Sequence, residues 1–408
     1  MDLMLIRRPS DNPVTFLART NWRDDRRLFG IRQRDRRHHM YAIGKTGTGK
    51  TTLLETMIRQ DIAAGRGLAL LDPHGDLVED LVSTVPGTSR DRIILFDPAR
   101  PGYRLGYNPL ASVAPGKRTL AAAGVLAAFK KLWADSWGPR LEHILRNALL
   151  ALVEQPEASL TDLLRLLDDR PYRRRAAERV ANAQVRDFWL REFEGYPARL
   201  RGEAIAPVQN KVGAFLADPV LHEVLTGAGT RLDLRRVMDQ GQVLLVNLAR
   251  GRLGEDSSSL LGSLLVSGLN VAAMGRAEVP EDERRDFYLY LDEFQNVTTL
   301  ALAGMLSELR KYRVSLVLAN QFLTQLEEPV RDAVLGNAGT LICFRVGLAD
   351  AEILEGELTP EFSAEDLVAL PNRHIYLRLM VDGKVSRPFS GETVRYGTVD
   401  TDAPVSLR

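Results

Sequence analysis

The stretch Gly44-Lys45-Thr46-Gly47-Thr48-Gly49-Lys50-Thr51 constrains the fold of this 408-residue chain more than any other. It fits G-x-x-x-x-G-K-[ST], a loop whose glycines let successive backbone N–H groups turn inward toward phosphate oxygens. Such a loop works only between a buried strand and a helix whose N-terminal end adds positive potential. Both are legible. "HMYAIG" is a short apolar run ending in glycine, and "TTLLETMIRQDIAAG" puts Leu53, Leu54, Met57, Ile58 and Ile62 on one helical face before Gly65 stops it. In this frame Lys50 reaches the β- and γ-phosphates, the Thr51 hydroxyl ligates Mg²⁺, and Thr52 continues the loop into the helix. ATP and Mg²⁺ are the expected cofactors.

A phosphate loop implies further strands. "GLALLDPHGD" and "DRIILFDP" are two, each stopped by proline, and "QVLLVNLA", "DFYLYLDEF", "VSLVLANQ" and "GTLICFRV" follow from residue 242 onward. Strands alternating with helices argue for an α/β fold with a mostly parallel sheet. Between residues 115 and 229 the texture changes to successive amphipathic helices, two opening on Pro139 and Pro171, which read as an all-α insertion. The expected organisation is a basic arm (1–37), a first core segment (38–114), the insertion (115–229), a second core segment (230–398) and a tail (399–408). "HIYLRLMVDG" and "KVSRPFSGETV", joined at Asp382-Gly383, predict an antiparallel hairpin at the sheet edge.

Hydrolysis needs a carboxylate at a second strand end, on the metal side of the nucleotide. "FYLYLDEF" supplies Asp292 for that role and Glu293 as general base for the attacking water. Asp292 lies 242 residues after Lys50. A compact core needs roughly a hundred, at about 30 per βα unit, and the insertion accounts for the surplus. Gln321, at the end of "VSLVLANQ", is a candidate polar sensor of the γ-phosphate. Arg310, in "LSELRKYRVS", is by sequence alone one helix-end arginine among many.

The bulk properties narrow the partners. A net charge of +1 excludes a uniformly basic nucleic-acid coat but allows local basic patches. Residues 1–40 hold ten Arg against five Asp, which predicts a solvated arm, or one that contacts nucleic-acid phosphates or a neighbouring subunit. The single cysteine, Cys343, excludes disulfides and Cys-pair zinc sites. No stretch is read as long and apolar enough to cross a bilayer, so the expected location is cytoplasmic.

The segments "RRHHMYAIGKTGTGKTTLLETMI", "LALLDPHGDLVEDL", "NKVGAFLADPVLHEVL" leading to "VLLVNLARGRLGED", and "YLYLDEFQN" with "LRKYRVSLVLANQ" together resemble the FtsK/HerA superfamily of P-loop motors. They are most similar to the TraD/TraG-like coupling ATPases of type IV secretion and conjugation. The resemblance spans about residues 28–380. It implies a RecA-like core with an inserted all-α domain, a homo-oligomeric ring, usually a hexamer, and ATP held between subunits. It also implies that Arg310 enters the neighbour's site, with Arg345 in "CFRVG" as a second candidate, and that Gln321 is the sensor. Coupling proteins proper begin with transmembrane helices. Their absence from this sequence implies no direct membrane insertion, and a relative that is soluble or recruited to the membrane by a partner.

The leading expectation is a ring ATPase that translocates DNA, single- or double-stranded, with Arg250 and Arg252 in "NLARGRLGED" and Lys130 and Lys131 in the insertion as candidate phosphate contacts. The alternative is a ring that recruits or moves a protein: a secretion substrate, a relaxase, a channel component or a nuclease. A scaffold without turnover fits poorly with Lys50, Asp292, Glu293 and Arg310 all present.

Overall fold

The structure, a computed structural model, describes residues 13–23, 25–226 and 230–397. The 399–408 tail and the first twelve residues of the arm lie outside the described residues.

Fifteen strands are present among the described residues: β1 (Val14–Thr20), β2 (Leu28–Arg32), β3 (Met40–Ile43), β4 (Gly67–Asp72), β5 (Ile93–Phe96), β6 (Leu105–Gly106), β7 (Thr230–Arg231), β8 (Val243–Asn247), β9 (Phe287–Leu291), β10 (Val314–Asn320), β11 (Thr340–Cys343), β12 (His374–Arg378), β13 (Met380–Val381), β14 (Lys384–Val385) and β15 (Phe389–Thr393). Eleven form one sheet, in the order β2-β1-β15-β12-β11-β3-β10-β9-β4-β8-β5. From β11 to β5 every pairing is parallel, and from β11 out to β2 every pairing is antiparallel. The parallel strands are buried on both faces, so they read as continuous apolar runs such as "FYLYL" rather than as alternation.

Two expectations are corrected here. Val14–Thr20 and Leu28–Arg32 of the basic arm are β1 and β2 of the sheet. Several of the arm's described arginines pair within the chain: Arg26 with Glu392, Arg32 and Arg34 with Asp382, and Arg37 with Asp286. Arg36 is wholly buried against Asp61. The hairpin is also interior, because β1 and β2 add beyond β15. Asp35 accepts from the N–H groups of Asp382 and Gly383 at 3.0 Å each, so the arm clamps the hairpin's own turn.

The helical region begins with the Arg118–Leu132 helix and ends with Pro219–Thr226, bracketed by the β6–β7 pair. Its interior is aromatic and aliphatic: Trp189 and Phe193 are fully buried with Ile144, Leu145 and Leu149 of the Pro139–Leu152 helix. The Arg118–Leu132 helix bridges the two regions, packing on the Glu255–Gly275 helix of the core and on Pro139–Leu152 of the insertion. Glu255–Glu278 is long and apolar enough by length and composition to cross a bilayer, against the expectation that no segment is. Its leucines (260, 261, 264, 265, 269) are buried inside the protein, as in the core helix of a globular fold.

Candidate nucleotide-hydrolysis site

The site lies at the carboxyl end of the parallel strands, where ligands of open α/β sheets bind. The loop Gly44–Gly49 leaves β3 and enters the Lys50–Ala63 helix. Gly47 and Gly49 have φ of 75° and 123°, values at which a side chain is strained. A Cβ on Gly44 would stand 2.5 Å from the Phe344 Cβ. The loop is therefore closed over by the β11 end, and Lys45 N–H donates to the Arg345 carbonyl at 2.8 Å. The Arg373 N–H donates to the Thr48 carbonyl at 2.8 Å, and the Thr48 hydroxyl to the Lys45 carbonyl at 2.7 Å. The Lys50 ammonium folds back onto the carbonyls of Gly44 and Lys45. Burial lowers its pKa, and the Glu293 and Asp292 carboxylates oppose that.

Strand order decides who meets whom. β10 lies between β3 and β9, so its end separates the phosphate loop from the carboxylates. Gln321 fills that gap. Its Oε1 accepts from the Thr46 hydroxyl at 2.8 Å and its Nε2 donates to Glu293 Oε1 at 2.9 Å. The other Glu293 oxygen accepts from Gln295 Nε2 at 2.8 Å. Glu293 itself is buried, with a left-handed φ of 44°, a sparsely populated conformation that surrounding contacts must hold.

Asp292 is buried beside Asp72, because the β4–β9 register aligns Leu71 with Leu291. Burial, then the Glu293 and Asp72 charges, push the Asp292 carboxyl up to about 6, against Lys50 and the Glu293 N–H. A buried carboxylate pair with one raised pKa is a setting that a divalent cation relieves. Asp72 is held by the N–H groups of His74 at 2.9 Å and Val78 at 3.1 Å. Asp72 was not among the expected site residues. Its position at a strand end was the same signal as for Asp292 and marks a further site residue. Gln295 was also missed, since a residue inside a short turn carries no periodicity.

The donor set fits a Mg-nucleotide. Glycine backbone curls around one locus, a lysine and helix N–H groups supply positive potential, and Thr51 with Asp292 supply hard oxygens.

The remaining candidates separate. Arg310 lies before β10, its guanidinium 3.2 Å from His38 Nδ1, at the opposite end of a seven-residue strand. It stands at the amino end of β3, and its own phosphate loop leaves the carboxyl end of that strand. Arg345 stands beside that loop, committed to the Leu370 carbonyl and Asn372 Oδ1 at 3.1 and 2.8 Å. Arg250 and Arg252 sit on the site side of the sheet after β8, where Arg252 pairs with Glu79 and Asp97 at 3.4 Å each, and Arg250 with Glu255 at 3.8 Å. Lys130 pairs with Glu142 at 3.2 Å. Lys131 donates two of its three N–H groups to the carbonyls of Gln295 and Thr298, both at 2.6 Å, which turns it toward the core.

Two family models match. One, the type IV secretion-system coupling protein DNA-binding domain, covers residues 29–196. The other, the TraM recognition site of TraD and TraG, covers residues 286–356. No curated protein matches the chain. Among solved structures, the unbound bacterial conjugative coupling protein TrwBdeltaN70 is 17% identical with TM-score 0.63, covering 90% of this chain and 88% of that one. The plasmid coupling protein TrwB with ADP and Mg²⁺ is 17% identical with TM-score 0.64, covering 94% and 96%. VirB4 of Thermoanaerobacter pseudethanolicus is 14% identical with TM-score 0.63, covering 94% and 97%. At these identities the likeness is one of fold: a mostly parallel P-loop core with an all-α domain.

Proposed function

The two family matches mark this chain as a TraD/TraG-like ATPase related to the conjugative coupling proteins, and from that premise we propose that it is a ring motor spending ATP on DNA movement. The observation that carries the reading is the clamp on Glu293. Gln321 and Gln295 each donate to one of its oxygens, and Gln321 is bonded onward to Thr46 of the phosphate loop. A carboxylate held this way is oriented to take a proton from water, and the same glutamine can register the state of the phosphates. Lys50 and the loop N–H groups hold the phosphates, and Thr51 and Asp292 hold the metal. Magnesium, when bound, neutralises phosphate charge.

Arg310, far from its own loop, is the residue we assign to a neighbour's site. That assignment calls for a ring, usually a hexamer in this group. The match to a coupling-protein DNA-binding domain supports DNA as the cargo, and the match to a TraM recognition site supports a relaxosome-type protein partner. We place the protein in the cytoplasm, recruited to the membrane by a partner.

The test is ATP hydrolysis by the full chain alone, with single-stranded DNA and with duplex DNA, with Glu293→Gln as the blank. Stimulation by one DNA form, with binding that weakens as salt rises, is expected. Turnover indifferent to both polymers, together with no salt-dependent binding, refutes DNA as the cargo.

A further inference from the structure

Lys130 and Lys131 are neighbours at the end of the bridging helix Arg118–Leu132, and they face different parts of the molecule. Lys130 pairs with Glu142 on the Pro139–Leu152 helix of the insertion. That carboxylate also accepts from Trp137 Nε1 and from Arg146, at 2.7 Å each. Lys131 turns to the core and donates to the Gln295 and Thr298 carbonyls at 2.6 Å. Those carbonyls belong to the turn that follows Glu293, and the Gln295 side chain holds Glu293 Oε2. One helix end thus touches the insertion at one residue and the loop of the base at the next.

The contact is not casual. Burial pushes the Lys131 ammonium down to about 8, the Arg250 charge acts in the same direction, and Glu327 opposes both. An ammonium largely withdrawn from water must find strong acceptors, and here both are carbonyls of the Glu293 loop. The loop needs such support. Glu293 has a left-handed backbone, and the turn is otherwise tied by Ser259 to the Asn296 carbonyl at 2.7 Å and by Thr298 to the Phe294 carbonyl at 2.8 Å.

We propose that Lys131 is a positioning residue through which the all-α domain sets the geometry of Glu293, so that displacement of the bridging helix is read at the hydrolysis site. The proposal rests on Glu293 being the base of the ATPase. The relay runs from Lys131 Nζ to the Gln295 carbonyl, and from the Gln295 amide to the Glu293 carboxylate. It is a contiguous hydrogen-bonded connection between two packed regions, and the bridging helix is the element whose position it transmits.

The test uses the full chain with Mg-ATP. Wild type, Lys131→Met, Lys131→Arg and Arg199→Met are compared for kcat, KM and affinity for a fluorescent ATP analogue. Lys131→Met should lower kcat about ten- to a hundredfold, the scale of a misplaced catalytic group, while KM and analogue affinity stay within about twofold. Lys131→Arg, which can still donate to both carbonyls, should recover most of the loss. Arg199→Met, which breaks a pair open to solvent on another helix of the insertion, should leave basal kcat unchanged. Should Lys131→Met not fold, Gln295→Leu removes the other leg of the relay and should give the same split. Unchanged kcat in a folded Lys131→Met or Gln295→Leu protein overturns the proposal, as does a fall in kcat matched by an equal loss of analogue affinity. A wild-type protein that does not turn over ATP would instead refute the parent reading.

Discussion

Arg36 offers the sharpest test of how the site is held together. Its guanidinium has no solvent exposure. It donates to Asp61 Oδ1 and Oδ2 at 2.6 and 2.9 Å, to Thr15 at 3.0 Å and to the Tyr290 hydroxyl at 2.7 Å. It also lies 3.7 Å over the Tyr288 ring. Asp61 is on the phosphate-loop helix, and Tyr288 and Tyr290 are on β9, which leads into Asp292. Burial alone would raise the Asp61 carboxyl, but the Arg36 charge and hydrogen bonds hold it below its ordinary value. Breaking a buried pair by removing one partner costs about 3–5 kcal/mol. In Arg36→Met, Asp61 still keeps Arg66 at 2.8 Å, so the charge is not abandoned and the low end applies, about 3 kcal/mol. In Asp61→Leu two buried arginines face each other without an anion, and the cost reaches the high end, about 5 kcal/mol. The double variant removes the buried Arg36 charge and leaves only Arg66 without its anion, so its loss should fall well below the sum of the two single losses. Urea unfolding read at matched m-values measures all three. If Arg36→Met costs less than about 1 kcal/mol, or the two losses simply add, the pair is not coupled as the geometry requires.

Three further outcomes are expected. Glu293→Gln and Arg310→Ala should each abolish turnover alone, and mixed rings should recover part of it, because some interfaces then pair an intact Glu293 with an intact Arg310. Mixed rings with no recovery would remove Arg310 from the neighbour's site. Lys50→Ala should lose nucleotide binding without unfolding, and full ATPase activity in that protein would show that the phosphate loop is misassigned. His39 is buried, accepting from the Leu316 N–H at 3.0 Å and lying 3.0 Å from the Leu306 carbonyl, and burial pushes its pKa to about 4. The folded form resists protonation, so this contribution is fully present above about pH 6.5 and is lost as pH falls toward 4, roughly 3 kcal/mol in all. His39→Gln should flatten that slope in pH-dependent unfolding, and an unchanged slope would assign it to other groups.

Much of the site was legible because its chemistry is local. Glycines at positive φ, a lysine and threonine at a helix start, and carboxylates at the end of an apolar strand each leave a signature within a few residues, and "AIGKTGTGKTT" and "FYLYLDEF" carry all of it. The all-α insertion was legible for the same reason, since helical periodicity and proline starts repeat over a hundred residues. The arginine-rich segment before β3 was misjudged. Composition counts charges but not partners, and Arg36, Asp35 and Arg37 are held by Asp61, the 382–383 turn and Asp286.

The proposal of a nucleotide with its metal and a base beside them thus came from sequence alone. Which groups act together was left to the tertiary structure. Placing β10 between β3 and β9 makes Gln321 the bridge from Thr46 to Glu293. The β4–β9 register makes Asp72 a neighbour of Asp292. The bridging helix brings Lys131 to the turn behind Glu293. Each pairing joins residues tens to hundreds of positions apart. Strand order and register set those distances, and neither leaves a mark in any short stretch of sequence.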